Sequence, residues 1–242
     1  MGKTLTLIDA AWASARDRAQ AGRKSEARGI LVTLLGREDL PTALAAKAHR
    51  LAAKLYADGE RYAKARKHLK AARTLEPGNA DTHYQLAAAY ADDAYGCDLR
   101  AAKSYRRAVA RDGTNALYHA AYGRALVRAA KDRPAVRALR EAVELAPTDA
   151  KVLAVVVEAY REMNAARLAW DVVCKAKFLA PADKAIAAMW QRAKFDLASE
   201  GQSPRMRKVL PFVRLVGTDG ESRAVRRDVG SASAPHVYRL HV

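Results

Sequence analysis

Apolar residues recur along most of this chain at intervals of three and four positions, which is the spacing of one face of an α-helix. Between positions 5 and 199 these amphipathic segments come in pairs, and Gly, Pro, Asp or Asn separates each segment from the next. We therefore expect an all-α protein. The pattern predicts five helix pairs and one closing helix, at 5–21 with 24–36, 42–57 with 60–75, 80–93 with 98–111, 115–130 with 133–146, 149–163 with 165–179, and 182–199.

The short segment that joins one helix pair to the next recurs at regular distances. The residue that ends the preceding helix in this segment is Pro77, Gly113, Pro147 or Pro181, and these residues follow one another in steps of 36, 34 and 34. Proline ends a helix because it has no backbone N–H to donate. Two positions later stands an Asn or an Asp, which favours the start of the next helix by accepting hydrogen bonds from its first turn. A recurrence of this period is typical of a repeat array.

Two columns of residues keep the same register as these joints. An alanine recurs in the second helix of each pair, and a large apolar or aromatic residue follows it four positions later. A small residue lets two helices approach closely, and the large residue fills the space between neighbouring units. The alanine column comprises Ala27, Ala65, Ala101, Ala135 and Ala169, and the large column comprises Leu31, Leu69, Tyr105, Leu139 and Val173.

In its joints and columns the chain resembles the tetratricopeptide repeat family, whose 34-residue unit is a helix pair. The resemblance implies an α-α superhelix, a right-handed solenoid of tetratricopeptide-like helix pairs. It also divides the chain into a degenerate N-terminal helix pair at 1–45, a repeat array at 46–183, a capping helix at 184–200 and a basic C-terminal tail at 201–242. The tail contains short β-prone runs, so both an extended tail and a hairpin around 217–222 remain open.

The chain has 43 Lys and Arg against 26 Asp and Glu, which gives a formal net charge of +17. A positive field of this size favours an acidic protein surface or a nucleic acid as partner. No apolar run approaches the length of about 20 residues that spans a membrane, so we expect no integral membrane contact. Cys97 and Cys174 lie 77 residues apart, outside any metal or redox spacing, and we expect a reduced, cytoplasmic setting.

The sequence contains no phosphate-binding loop, dinucleotide fingerprint, nucleophile elbow or paired-histidine zinc motif. His49, His83 and His119 occupy the same position of successive units, which places them too far apart to share a zinc ion. The turn around Asp92, Asp93 and Asp98 carries two extra residues; it offers fewer oxygen ligands than calcium prefers and is predicted to be a longer turn. We therefore expect no enzymatic activity, no cofactor and no metal site.

In the tetratricopeptide family the first helix of each unit lines a concave groove. Carried over to this chain, the resemblance implies a groove that is basic at both ends, with small and apolar residues between them. The function expected from it is a non-enzymatic scaffold or adaptor that binds an acidic partner segment, because arginine donates paired hydrogen bonds to carboxylates. The implied partner-binding residues are Lys47, Arg50, Lys54, Tyr84, Arg124, Arg128 and Arg161.

A second function remains open at the level of sequence. The second helices are also basic, and any face rich in Lys and Arg attracts nucleic acid through the release of counterions. The alternative is therefore a nucleic-acid or ribonucleoprotein accessory factor that uses distributed positive charge. The sequence sets neither the partner nor the oligomeric state. The residues concerned are Lys64, Arg66, Lys67, Lys70 and Arg73, followed by Lys103, Arg106, Arg107 and Arg111.

Overall fold

The computed structural model describes residues 2–202 of the 242-residue chain. Each predicted amphipathic segment is a helix, and the predicted ends agree with the structure to within one helical turn. The predictions for the tail at 203–242 lie outside the described residues. The helices are α1 Gly2–Gln20, α2 Lys24–Leu35, α3 Thr42–Ala57, α4 Tyr62–Leu75, α5 Ala80–Ala91, α6 Asp98–Val109, α7 Ala116–Arg128, α8 Asp132–Leu145, α9 Ala150–Glu162, α10 Ala166–Leu179 and α11 Lys184–Gln202.

Consecutive helices pack against each other as five hairpins, and each hairpin packs on the next. Residues up to Ser199 form one compact unit. First helices lie beside the first helices of neighbouring hairpins, as α7 does beside α9. No helix within 2–202 is both long enough and apolar enough to cross a membrane.

The two predicted columns form the centre of each hairpin. All five alanines of the small column are at most 1% exposed, and all five members of the large column are at most 6% exposed. The two helices approach closely between α7 and α8, where a Cβ atom built on Gly123 would lie 2.6 Å from Cγ of Leu139. Gly123 therefore allows a backbone approach that a larger residue at this position would prevent.

The joints cap the first helices as the sequence predicts. The side-chain oxygen of Asn79 accepts a hydrogen bond from the backbone N–H of Thr82 at 2.9 Å, and Asp149 accepts one from Lys151 at 2.8 Å. Asn115 and Asp183 cap α7 and α11 in the same way. These bonds satisfy backbone donors that a helix leaves unpaired in its first turn.

The repeated histidines belong to the same joints. Nε2 of His83 lies 3.2 Å from the carbonyl oxygen of Pro77, and Nε2 of His119 lies 2.9 Å from that of Gly113. His49 differs, since its Nδ1 lies 2.9 Å from Nδ1 of His68. Burial lowers the pKa of His49, His68 and His83. Within 2–202, no group of three His, Cys, Asp or Glu side chains is placed to hold a metal ion.

Four of the five hairpin turns share one backbone geometry. Each contains a residue with left-handed φ, and the following N–H donates to the carbonyl five positions earlier, as Lys131 does to Leu126 at 2.8 Å. The turn of the third hairpin differs, because it carries the two extra residues noted in the sequence. The left-handed residues are Gly22, Glu60, Ala130 and Asn164, with φ of 75°, 58°, 54° and 54°.

We expect Ala130→Gly to raise the free energy of unfolding by about 1 kcal/mol, because a Cβ atom makes left-handed backbone unfavourable and glycine relieves that cost. Urea denaturation followed by circular dichroism measures the change. Ala129→Gly is the matched control, since Ala129 has φ of −82° and gains nothing from glycine. A higher free energy of unfolding in both variants, or in neither, would contradict the assignment of strain to the left-handed backbone of Ala130.

We expect Ala169→Leu to lower the free energy of unfolding by about 1–3 kcal/mol, because Ala169 is 1% exposed and the added atoms would overpack the contact between α9 and α10. Ala188→Leu, at an exposed alanine of α11, serves as the control and should change stability little. Equal midpoints of urea unfolding for the two variants would show that the alanine column is not under steric constraint.

Candidate functional site

A cleft of 190 Å³ opens between the first helices α5, α7 and α9. We call it the central cleft. Ala88, Ala121 and Ala125 contribute to its lining and leave the space open, because their side chains end at Cβ. The remaining lining residues are Tyr84, Ala91, Asp92, Tyr105, Arg124, Arg128 and Val155.

A tyrosine cluster supports one side of the central cleft. Tyr84 stacks on Tyr118, with ring centroids 4.9 Å apart, and meets Tyr105 edge to face at 5.4 Å. Burial raises the pKa of Tyr84, and the nearby carboxylates of Asp92 and Asp81 raise it further. Burial also raises the pKa of Tyr105 far above its ordinary value. These two phenols therefore stay neutral at physiological pH, and the stacked rings provide a rigid, largely apolar wall.

Two arginines of the cleft converge on one carboxylate. Arg124 donates from Nη2 and Nε to Oε1 of Glu162, at 2.6 and 2.9 Å. Arg128 reaches the same carboxylate only at 3.4 Å, and its Nη1 donates to the carbonyl oxygen of Ala91 at 3.3 Å. Asp92 also lines the cleft. The central cleft therefore contains two guanidinium groups and two carboxylates, and Glu162 is the carboxylate that pairs with both arginines.

The other predicted arginines also have partners within the chain. Arg50 donates to Glu76 at 2.6 Å and its side chain is 14% exposed, so it lies largely inside the joint between two hairpins. Arg161 donates to Asp196 at 2.7 Å and to Glu158 at 3.0 Å. The Arg161–Asp196 pair joins α9 to α11, whereas the Arg161–Glu158 pair lies within α9. A ligand would have to compete with these contacts.

The two predicted lysines are placed differently. Lys47 and Lys54 are exposed on α3, and neither forms an ion pair with a carboxylate in the part of the chain that the structure describes. The structure brings Tyr84, Arg124 and Arg128 together at the central cleft, while Lys47, Arg50, Lys54 and Arg161 are absent from its lining.

Sequence reasoning missed the pairing of Arg124 and Arg128 with Glu162 and the contribution of Asp92. The sequence did indicate the pairing with Glu162, because Glu162 stands 34 residues after Arg128 and hence at the same position of the next unit. Residues at equal positions of neighbouring units lie on adjacent first helices. The same signal marked Asp92, which stands 36 residues before Arg128, the step that also separates Pro77 from Gly113.

No family model matches the chain, and no curated protein sequence matches it. The chain does match solved structures. The chain superimposes on MamA with a TM-score of 0.58 at 18% identity, covering 73% of this chain and 92% of MamA. It superimposes on a thermophilic tetratricopeptide-repeat protein of Thermus thermophilus with a TM-score of 0.57 at 17% identity, covering 78% and 99%. The chain has the tetratricopeptide-repeat fold.

A third similar structure is YrrB, described as a tetratricopeptide-repeat protein with an unusual peptide-binding site. The TM-score is 0.55 at 18% identity, and the match covers 73% of this chain and 88% of YrrB. The likeness confirms the expected all-α superhelix of helix pairs. At this identity it establishes the tetratricopeptide fold and carries no residue role from one protein to the other.

The ion pairs of Arg50 and Arg124 differ in burial, so we expect different costs when their carboxylates are removed. Glu76→Gln should lower the free energy of unfolding by about 1–3 kcal/mol, because the Arg50 guanidinium loses its counter-charge inside a joint. Glu162→Gln should cost less than about 1 kcal/mol, since Arg124 and Arg128 are about one-third exposed. Urea unfolding of both variants measures the difference. A larger cost for Glu162→Gln would mean that the central cleft is a structural contact.

Proposed function

We propose that the chain is a non-enzymatic interaction scaffold that binds an acidic partner segment in the central cleft. The observation that carries the proposal is the convergence of Arg124 and Arg128 on one carboxylate beside an open cleft. Two guanidinium groups that hold Glu162 in the free chain are spaced to hold a carboxylate supplied by a partner. On this proposal Glu162 occupies the partner's position until binding displaces it.

Arg128 is the donor that a partner would recruit most readily. Its contacts with Glu162 are 3.4 Å long, against 2.6 Å for the shortest contact of Arg124. Its side chain is 34% exposed. Long, partly hydrated bonds cost little to break, so a partner carboxylate can bind Arg128 first and then displace Glu162 from Arg124.

The size of the central cleft limits what can enter it. A volume of 190 Å³ accommodates one or two side chains and excludes a folded domain. Beside Arg124 and Arg128 lie small alanines and the aromatic wall of Tyr84 and Tyr105. We therefore propose a segment that inserts an apolar side chain and places an Asp or Glu next to it. YrrB, with the same fold, is described as having a peptide-binding site, which supports a peptide ligand for this chain.

The exposed lysines of α3 extend the proposed surface. Lys47 and Lys54 stand on another first helix of the array, and both are exposed. They would add electrostatic attraction for further acidic residues of the same segment, which speeds association more than it raises affinity. The proposal includes a cytoplasmic setting, with which the free thiols of Cys97 and Cys174 agree.

The test is affinity purification with mass spectrometry from cells that express the protein. We expect Arg124→Glu/Arg128→Glu to lose the bound partner, because like charges then face its carboxylates. The matched control is Arg137→Glu/Arg140→Glu, two exposed arginines of α8 with the same change in net charge. A peptide from the recovered partner should then bind the wild-type chain at least tenfold more tightly than the first variant, measured by fluorescence anisotropy.

Glu162→Gln gives a second, opposite readout. Removing the internal carboxylate frees both arginines, so the same acidic peptide should bind more tightly to this variant than to the wild type. Arg50 is unsuitable for such tests, because its replacement would disrupt a joint. The proposal fails if partner binding survives charge reversal at Arg124 and Arg128, or if it falls equally in the α8 control.

A further inference from the structure

A second and larger cleft, of 440 Å³, is lined mainly by the second helices α4 and α6 and the turn that precedes α6. We call it the α4–α6 cleft. It lies between α4, the end of α5, the long turn of the third hairpin and the first turn of α6. Its polar and aromatic lining consists of Arg66, Lys67, Lys70, Tyr90, Tyr95 and Arg100.

Four cations line the α4–α6 cleft, and only one of them is neutralised. Arg66 forms an ion pair with Asp93 and donates to the carbonyl oxygen of Ala89. Lys67, Lys70 and Arg100 have no ion pair with a carboxylate within residues 2–202. This contrasts with the central cleft, where each arginine meets a carboxylate of its own chain.

The two helices that line this cleft carry many more cations than carboxylates. Helix α4 carries five Lys and Arg and no acidic residue, and α6 carries four against the single Asp98. The N-cap of α6 is Cys97, which makes no side-chain hydrogen bond to the first turn. The unpaired N–H groups there add partial positive charge at the mouth of the cleft, which Asp98 offsets in part.

Tyr95 stands at the rim of this cleft and is 97% exposed. Its backbone is held in place, because its N–H donates to the Asp93 carboxylate at 3.1 Å. The next residue, Gly96, approaches so closely that a Cβ atom there would overlap the carbonyl oxygen of Tyr90. The turn therefore presents an aromatic ring to solvent beside three free cations. Tyr90, by contrast, is covered by the Arg66 guanidinium, 5.1 Å from its ring centroid.

An exposed ring next to a row of cations is the arrangement by which proteins hold single-stranded nucleic acid. Unpaired bases stack on aromatic side chains, while Lys and Arg follow the phosphates. A duplex would hide its bases from Tyr95. An acidic peptide would use the cations and leave the ring without a partner. Exposed cations continue beyond the cleft along α6 and α8, at Lys103, Arg106, Arg107, Arg133, Arg137 and Arg140.

We propose that the α4–α6 cleft binds single-stranded nucleic acid, with a phosphate between Lys67, Lys70 and Arg100 and a base stacked on Tyr95. The site involves no residue of the central cleft, so it is independent of the acidic-segment proposal. It assigns nucleic-acid binding to three particular cations rather than to the net charge of the whole chain.

The experiment measures binding of a fluorescein-labelled twelve-nucleotide oligouridylate to the full chain by fluorescence anisotropy at several salt concentrations. We expect Lys67→Glu/Lys70→Glu/Arg100→Glu to weaken binding at least tenfold. It should also reduce the slope of log K against log salt by about 0.7, since the variant loses one phosphate contact and each single-strand phosphate contact contributes about 0.7. The matched control is Lys175→Glu/Lys184→Glu/Arg192→Glu, three exposed cations elsewhere with the same change in net charge.

Tyr95→Ala separates base stacking from charge. We expect this variant to bind oligouridylate about tenfold more weakly than the wild type. It should bind an abasic oligomer of the same length as tightly as the wild type does. Tyr95 is fully accessible, so its replacement leaves the fold intact, which circular dichroism checks.

Three results would overturn the proposal. The first is equal weakening in the two triple variants, which would show a response to net charge alone. The second is unchanged oligouridylate binding by Tyr95→Ala. The third is binding of oligoglutamate as tight as that of oligouridylate with the same dependence on Lys67, Lys70 and Arg100, which would identify an acidic peptide as the ligand.

Discussion

The close approach of the two helices in each hairpin is the constraint on which the rest of the structure depends. It requires a residue no larger than alanine where the backbones meet and a large buried residue one turn further on, as at Ala135 and Leu139 of α8. Leu139 in turn packs against Gly123 of α7, where a Cβ atom would lie only 2.6 Å from it. Because this contact recurs with every unit, the hairpins stack with little freedom. First helices then share one surface and second helices another, so any residue's repeat position decides which surface it joins.

That division makes the net charge of +17 a poor guide to where ligands bind. On the surface of the first helices the arginines meet carboxylates of their own chain, as Arg124 meets Glu162 and Arg161 meets Asp196. On α4 and α6 almost no acidic residue is available. Arg124 and Arg161 therefore join neighbouring first helices, whereas Lys67, Lys70 and Arg100 form no ion pair within residues 2–202. Counting charges along the sequence cannot separate these two roles.

The sequence predicts the helices well because their ends are fixed by local chemistry. Pro147 stops one helix and Asp149 caps the next, and neither effect needs a distant residue. Repeat spacing also predicts that Tyr84, Arg124 and Arg128 approach one another. It cannot predict that the guanidinium of Arg128 reaches Glu162 only at 3.4 Å, or that Arg50 is 14% exposed. Those facts depend on the side-chain rotamers and on the distance between hairpins, which no local pattern encodes.

The largest gap between sequence and structure lies where the repeat is irregular. The other four hairpins turn through one left-handed residue, whose neighbour donates to a carbonyl five positions back. The third turn has two extra residues and cannot close in that way. It swings Tyr95 into solvent and keeps Gly96 against the Tyr90 carbonyl, and α6 begins at a cysteine that does not cap it. An insertion costs a loop little free energy. It thus adds an aromatic group and unpaired backbone donors to a basic surface without disturbing the alanine contacts that hold the array together.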